Sequence, residues 1–349
     1  MSSPATYVAR PGYPPHGHLG FSANGHFRLA TSTAAPLGGL TLAAARTEFE
    51  LPERLLSRSV PALVPIALLS LPGQHFGGQP LGIVVSGSPN KAPHRPNAIL
   101  ETTSASAQPT AGFVSRLASD LGVALHGAWG RERLMLIAEV YARFGRALRR
   151  FSTAGCHRYS GASDNLLYSF DHREVLLVDL DSSGVLKRLP HLSASLEIVR
   201  DVMSGMFNLA CELIRPDQIH LSTRSDMLAV DPYHRFLAGY FPEIRVLPEL
   251  TSPFQAHVAE IWERIHGRSP DILEDPVAGY DLYRSLRFNT RLIYMALFRL
   301  AYQLYSASSV VEAFPLPFDL QALDTRIAAF AGVDVLGLAR RLSSISAPL

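Results

Sequence analysis

The first hundred residues carry short apolar runs broken by glycine and proline, a pattern typical of strands and turns. Strands are predicted at residues 26–31, 40–44, 62–71 and 81–85. Pro65 inside the third run indicates an edge strand, because proline cannot donate to a central ladder. A helix pattern is expected over residues 46–57, with the regular helix starting only at Pro52, because proline is tolerated in a first turn. This part of the chain therefore reads as β-rich.

Further along, apolar positions recur at three- and four-residue spacing, which predicts amphipathic helices. They are expected at residues 132–151, 196–214, 254–265, 282–305 and 320–342. Between the first two, a single hairpin is predicted with strands at 165–170 and 175–180. The proline-rich stretch 87–110 reads as a loop or hinge. The predicted fold class is α+β, with a β-rich part at residues 1–105 and a larger helical part at residues 106–349.

Composition places the chain in the globular class, because 47% of its residues are hydrophobic and 18% are charged. A length of 349 residues suits two domains or one large bilobal unit. The net charge of +2, without a concentrated basic run, argues against nucleic acid and anionic membrane as partners. Two cysteines are too few for a disulfide framework, so reduced thiols are expected.

We expect a cytoplasmic location. Residues 1–18 contain no apolar signal core. The longest apolar stretch, residues 286–305, is interrupted by Arg287, Arg291 and Arg299. Charges at mid-bilayer depth are costly, so this stretch predicts a buried core helix rather than a membrane span.

Polar side chains mark the ends of the predicted hairpin. Asn165 begins its first strand, and Asp179 and Asp181 end its second. Strand ends on one side of a hairpin lie close together, and residues two apart share a face, so these side chains can converge on one cation. Oxygen ligands of this kind suit Mg²⁺, or Mn²⁺ in its place.

The segment from Cys156 to Gly184 resembles the catalytic region of the protein-kinase-like superfamily. His157-Arg158 stands where those proteins have His-Arg-Asp, Asn165 where they have a metal-binding Asn, and Asp179-Leu180-Asp181 where they have Asp-Phe-Gly. The resemblance implies a bilobal fold that binds ATP between its lobes, with Mg²⁺ held by Asn165, Asp179 and Asp181.

The chain departs from that pattern at the expected base, where Tyr159 replaces the aspartate. Asp164 is the nearest carboxylate, and Ser-Asp-Asn here is similar to the Thr-Asp-Asn loop of the selenoprotein-O branch, whose members transfer AMP to protein hydroxyls. The similarity implies Asp164 as the base. Residues 48–61 also resemble that branch's helix-C region, with Glu53 as the helix glutamate.

The second departure concerns phosphate binding. The resemblance implies a lysine on the strand before the helix that holds the phosphates of ATP, but Lys91 and Lys187 are the only lysines, so none precedes the predicted helix. Arg28 or Arg46 would therefore have to contact phosphate together with Glu53, and a guanidinium offers a geometry different from that of an ammonium. The chain also lacks a G-x-G-x-x-G loop.

The leading hypothesis is an ATP- and Mg²⁺-dependent transferase that moves a phosphoryl or adenylyl group to a hydroxyl of a small molecule, peptide or protein. Asp164 and His157 are its candidate catalytic residues, although His157 also fits a role in packing the loop. The missing base and lysine favour an alternative, a pseudokinase-like binding or scaffold protein. A third reading takes the hairpin as a coincidence within another fold.

Overall fold

The structure is a computed structural model that describes residues 17–31, 39–88, 95–99, 107–126, 129–158, 165–190, 192–214, 223–245, 248–266 and 290–343. It is a mixed α+β protein, rich in helix, whose strands form small antiparallel sheets. The α+β class predicted from the sequence is therefore confirmed, whereas a bilobal arrangement stays a prediction.

A three-stranded antiparallel sheet lies near the start of the chain. Its strand order is β3 (Leu40–Thr41), β5 (Gln79–Gly87), β4 (Val64–Phe76). The predicted strands at 62–71 and 81–85 are confirmed as β4 and β5. Pro65 lies on the edge strand β4, as its missing N–H requires.

Helix α1 (Leu42–Leu56) begins earlier than the sequence pattern predicts. The Ala44 N–H donates to Thr41 Oγ1 at 3.2 Å, so Thr41 caps the helix and the strand expected at 40–44 shrinks to two residues. Pro52 lies inside the helix rather than at its first turn. This N-cap begins the helix where the apolar pattern alone predicts a strand.

Helix α1 packs against the sheet over Gly82 of β5. A Cβ atom at Gly82 would lie 3.0 Å from side-chain atoms of both Leu42 and Ala45, so a glycine is needed for this close approach. The face of the sheet that carries Gly82 is therefore the one covered by α1.

The first two strands form a separate hairpin. Strands β1 (Gly17–Phe21) and β2 (Phe27–Thr31) pair with each other, and no strand of the three-stranded sheet pairs with them in the part of the chain described. The rings of Phe21 and Phe27 lie 5.7 Å and 5.2 Å from that of Phe298, near the end of the chain. The N-terminal strands are thus divided between two sheets, and the domain boundary near residue 105 stays a prediction.

The middle of the chain holds the predicted hairpin. Strand β7 (Leu166–Ser169) pairs with β8 (Glu174–Leu177), and the shorter β6 (Cys156–His157) pairs with β9 (Gly184–Val185). The surrounding helices are α2 (Ala107–Leu121), α3 (Trp129–Thr153) and α4 (Ala194–Leu213). Gly155, with φ of +75°, ends α3 as the sequence indicates. The hairpin between helices is confirmed.

The remaining helices are α5 (Arg224–Val230), α6 (Pro232–Tyr240), α7 (Pro248–His266), α8 (Thr290–Ser306), α9 (Val310–Ala313), α10 (Leu320–Ala331) and α11 (Val333–Leu342). The single helix expected over 320–342 is two helices, because Gly332 adopts a φ of +96° between them. Residues 282–289 of the helix expected at 282–305 lie outside the described residues.

Helices α3 and α6 touch backbone to backbone through two glycines. A Cβ at Gly145 would lie 2.2 Å from the Phe236 carbonyl oxygen, and one at Gly239 would lie 2.1 Å from the Ala142 carbonyl oxygen. This contact fixes α3, which leads directly into β6 and the hairpin. None of the helices in the described ranges has the length and apolar character needed to cross a bilayer.

Candidate functional site

Two carboxylates follow the end of strand β8. The strand ends at Leu177, and Asp179 and Asp181 flank the buried Leu180. Asp179 has a φ of +58°, the left-handed region that aspartate tolerates better than most residues other than glycine. The chain therefore turns at Asp179 and presents both carboxylates at this end of the hairpin.

Glu48 of helix α1 brings a third carboxylate to the same place. Ligand oxygens of Glu48, Asp179 and Asp181 all lie within 4.8 Å of one another. The Asp181 N–H also donates to Glu48 Oε1 at 3.1 Å, which joins the helix to the turn after β8. Three acidic groups thus converge from two separate elements of the fold.

The close approach of the three carboxylates changes the pKa of Glu48. Burial, followed by the negative charges of Asp179 and Asp181, raises the pKa of Glu48 to about 7, while hydrogen bonds from backbone N–H groups oppose the shift. A cation at the cluster would remove the repulsion that the three carboxylates impose on one another.

Helix α1 is held to the end of α3 by arginines in its last turn and just beyond. The Arg58 guanidinium donates to the Ala154 carbonyl oxygen, and Arg54 hydrogen-bonds the buried Cys156 thiol. Cationic groups bind well at the exposed carbonyls of a helix C-terminus. These contacts fix the orientation of α1 and with it the position of Glu48.

Asn165 lies at the base of the hairpin. Its backbone carbonyl oxygen accepts a hydrogen bond from the Val178 N–H at 3.1 Å, which extends the β7–β8 ladder by one pair. The residue is buried. The Asn165 backbone therefore pairs with the residue that directly precedes Asp179. A metal-binding role for the Asn165 side chain stays a prediction.

His157 is buried beneath strand β9. A Cβ atom at Gly184 would lie 2.6 Å from His157 Nε2, so the imidazole packs directly on the β9 backbone. Burial, together with the charge of Arg200, lowers the pKa of His157 to about 4. The imidazole is therefore neutral at physiological pH. Its position fits the packing role that the sequence analysis gave as the alternative to a catalytic one.

A buried ionic network holds the backbone after β6. The Arg158 N–H donates to Asp201 Oδ2 of helix α4 at 2.6 Å, and an Arg158 guanidinium nitrogen donates to the Val178 carbonyl oxygen at 3.4 Å. Arg200 donates to the Arg158 carbonyl oxygen and pairs with both Asp201 and Glu197. Burial raises the pKa of Asp201, and Arg200 opposes the shift. Through Arg158, the network joins helix α4 to the backbone after β6 and to Val178, which directly precedes Asp179.

The other residues predicted for the site that the structure describes have exposed side chains. Arg46 is exposed and faces Glu50, 4.0 Å away on the same helix. Arg28 is exposed on β2, where its charge favours the ionised form of Glu197. Glu53 is exposed on α1. Asp164 lies outside the described residues, so its role stays a prediction.

Glu48 is the site residue that the sequence analysis did not select. It shares one helical face with the buried Leu51 and Leu55, at spacings of three and seven residues, whereas Glu53 does not. A residue spacing of five turns Glu53 about 140° around the helix from Glu48. The apolar face was therefore the signal that could have identified the glutamate directed inward.

The donor set fits a divalent cation. Carboxylate oxygens are preferred ligands of Mg²⁺. Ligands at about 2.1 Å from an octahedral ion lie about 3.0 Å apart when adjacent and about 4.2 Å apart when opposite, so oxygens within 4.8 Å of one another would have to move closer together to bind one ion directly. Glu48, Asp179 and Asp181 are the residues that would hold the ion.

Comparisons with known proteins add little to this geometry. No protein-family model and no curated protein sequence matches the chain. A solved structure described as WaaP in complex with acyl carrier protein aligns with 73% of this chain and 89% of that chain, at 16% identity and a TM-score of 0.35. A likeness at this TM-score carries no argument about fold or function.

Proposed function

We propose that the chain is a transferase that uses ATP and a divalent cation to modify a hydroxyl of a small molecule, peptide or protein. The convergence of Glu48, Asp179 and Asp181 at the end of the hairpin carries this proposal. A bound Mg²⁺ or Mn²⁺ would supply charge neutralisation for the phosphates of the nucleotide.

The chain's own residues would position the reacting groups. In the proposed reaction the acceptor hydroxyl attacks the γ-phosphorus with departure of ADP, or the α-phosphorus with departure of pyrophosphate. Asp164 would take the hydroxyl proton. Catalysis in such sites consists mostly of positioning and charge stabilisation, so a base displaced by some loop positions is compatible with turnover.

Both flanks of the segment that contains Asp164 are anchored, which supports this role. On one side, the Arg158 N–H is held by Asp201; on the other, the Asn165 carbonyl accepts from Val178. Val178 directly precedes Asp179. The proposed base thus belongs to a segment held at one end to helix α4 and at the other end to the residue that precedes Asp179.

Phosphate binding in the proposed reaction would depend mainly on the bound cation. Arg46 and Arg28 were the expected cations; Arg46 lies 4.0 Å from Glu50, and the charge of Arg28 favours the ionised form of Glu197. We therefore propose that cation-mediated binding through the three carboxylates contributes more to nucleotide affinity than either guanidinium does.

Incubation of the purified chain with ATP, Mg²⁺ and fractionated lysate, followed by mass spectrometry, tests the proposal. We expect a phosphorylated or adenylylated product, and Asp179→Asn should lower its formation by at least about 100-fold. Glu53→Gln, on the same helix as Glu48 but exposed, is the matched control and should retain activity.

The outcome also separates the proposal from the binding-protein alternative. Nucleotide and cation binding without any product would favour a pseudokinase-like scaffold. Product formation that Asp179→Asn leaves unchanged would contradict the assignment of the site itself.

A further inference from the structure

The three-stranded sheet exposes one aliphatic face. Its large side chains there are each between 40% and 63% exposed: Val64, Ile66, Leu69, Ile83 and Val85. Gly82 points towards helix α1, and side chains alternate along a strand, so its neighbour Ile83 points to the opposite side. We call these five residues the open sheet face.

The register places all five on one surface. Leu69 pairs with Ile83, and Ala67 pairs with Val85, so these pairs share a face. The ladder is irregular between Pro65 and Ala67. Ile66 at this bulge lies 3.4 Å from where a Cβ of Gly87 would be, and Gly87 is paired with Val64. The bulge therefore adds Ile66 and Val64 to the open sheet face.

This surface carries no charge. From Ser59 through Asn90 the sequence contains no Asp, Glu, Lys or Arg, although charged residues make up 18% of the chain. Exposed sheets usually carry charged residues that prevent association. An exposed aliphatic surface without them is typical of a contact surface, and a patch of several hundred Å² forms the apolar centre of such interfaces.

The edge of the sheet argues against strand addition. β4 is an edge strand and contains Pro65 and Pro72, neither of which has an N–H to donate to an incoming strand. A partner on the β4 side would therefore pack on the face of the sheet, as two sheets do in a sandwich, rather than extend it.

We propose that the open sheet face is the interface of a symmetric homodimer. In a two-fold dimer the same patch faces itself, which requires that it not repel itself. A charged patch would meet its own charges, whereas this one is neutral and aliphatic along its whole length. A standard interface buries about 800 Å² per partner around an apolar centre, and the five side chains supply that centre. The proposal is independent of the transferase activity.

Sedimentation equilibrium of the full chain tests the proposal. We expect a dimer at micromolar concentration, and Ile66→Glu combined with Ile83→Glu should raise the dissociation constant by at least about 100-fold, because each glutamate would be buried against its copy. Val333→Glu, at the most exposed large apolar position among the described residues, is the matched control and should leave the dimer intact. Circular dichroism verifies that each variant is folded.

A second variant keeps the proposal testable if the double substitution prevents folding. Both native cysteines are buried, so Ile66→Cys introduces an accessible thiol, and a short bismaleimide should then link two chains. A wild-type chain that stays monomeric at about 100 µM would overturn the proposal. A dimer unaffected by the glutamates, or a monomer that floats with phosphatidylcholine vesicles through this face, would also overturn it.

Discussion

Glu48 is the residue whose ionisation the fold opposes most clearly within the candidate site. It reaches the turn after β8 from helix α1 and meets two further carboxylates there. Its pKa of about 7 lies above its ordinary value of 4.5, so the folded protein binds a proton that the unfolded chain releases. The stability gained from this proton is fully present below pH 4.5 and is lost as the pH rises through about 7.

We therefore predict that Glu48→Gln stabilises the cation-free protein at pH 8. The melting temperature in EDTA should rise by about 1–2 °C, since the variant removes a charge that Asp179 and Asp181 repel. At pH 4.5 the two proteins should melt nearly together. Differential scanning calorimetry at both pH values measures the effect, with Glu53→Gln as the exposed control; a destabilisation at pH 8 would contradict the assigned electrostatics.

The sequence identified the carboxylates after β8 but not the glutamate that joins them. Asp179 and Asp181 follow a short apolar strand, so their position at a strand end was predictable from a local pattern. The choice between Glu48 and Glu53 depended on which side of α1 is buried. Leu51 and Leu55 mark that side in the sequence, but the pattern does not reveal that Asp181, far along the chain, contacts Glu48 there.

At the scale of elements, the crossing of α3 and α6 leaves no room for an added Cβ atom at its glycines. Gly145 lies against the Phe236 carbonyl oxygen and the Tyr240 nitrogen, at distances where a Cβ could not fit. Because the obstructing atoms belong to the backbone, no side-chain rotation could relieve the clash.

We predict that Gly145→Ala lowers the free energy of unfolding by about 3 kcal/mol, the upper end of the range for overpacked cores. Gly112→Ala is the control, because Gly112 is exposed in helix α2 with nothing near its Cβ position. That substitution should stabilise the helix by up to about 1 kcal/mol. Urea unfolding compares the two; similar stabilities would show that the helices do not meet at Gly145.

Helix and strand identities were largely predictable, whereas their ends and partners were not. The hairpin β7–β8 and helix α3 follow from clear periodicity. The start of α1 depends on the Thr41 cap, and the break between α10 and α11 depends on Gly332. A single cap or glycine hardly changes the apolar pattern, yet it determines where a helix begins or ends.

At the scale of the whole molecule, the site lies where parts distant in sequence meet. The largest hydrophobic cluster includes buried residues of the first hairpin, helix α1, helices α3 and α4, and the C-terminal helices. The β1–β2 hairpin packs on those C-terminal helices through rings such as Phe27 and Phe298. Partners this far apart in sequence leave no periodic trace, which is why the sequence grouped all N-terminal strands together.

The central claim is that Glu48, Asp179 and Asp181 form a divalent-cation site. Titration of the purified chain with Mn²⁺, followed by electron paramagnetic resonance with and without a non-hydrolysable ATP analogue, tests it most directly. Asp179→Asn suits the test, because asparagine also tolerates the left-handed backbone at this position. Glu53→Gln is again the control.

We predict that the wild-type chain binds Mn²⁺, that Asp179→Asn weakens binding by at least about tenfold, and that Glu53→Gln binds like the wild type. The analogue should tighten binding in the wild type. Absence of Mn²⁺ binding under both conditions, or equal binding by the wild type and Asp179→Asn, would contradict the account.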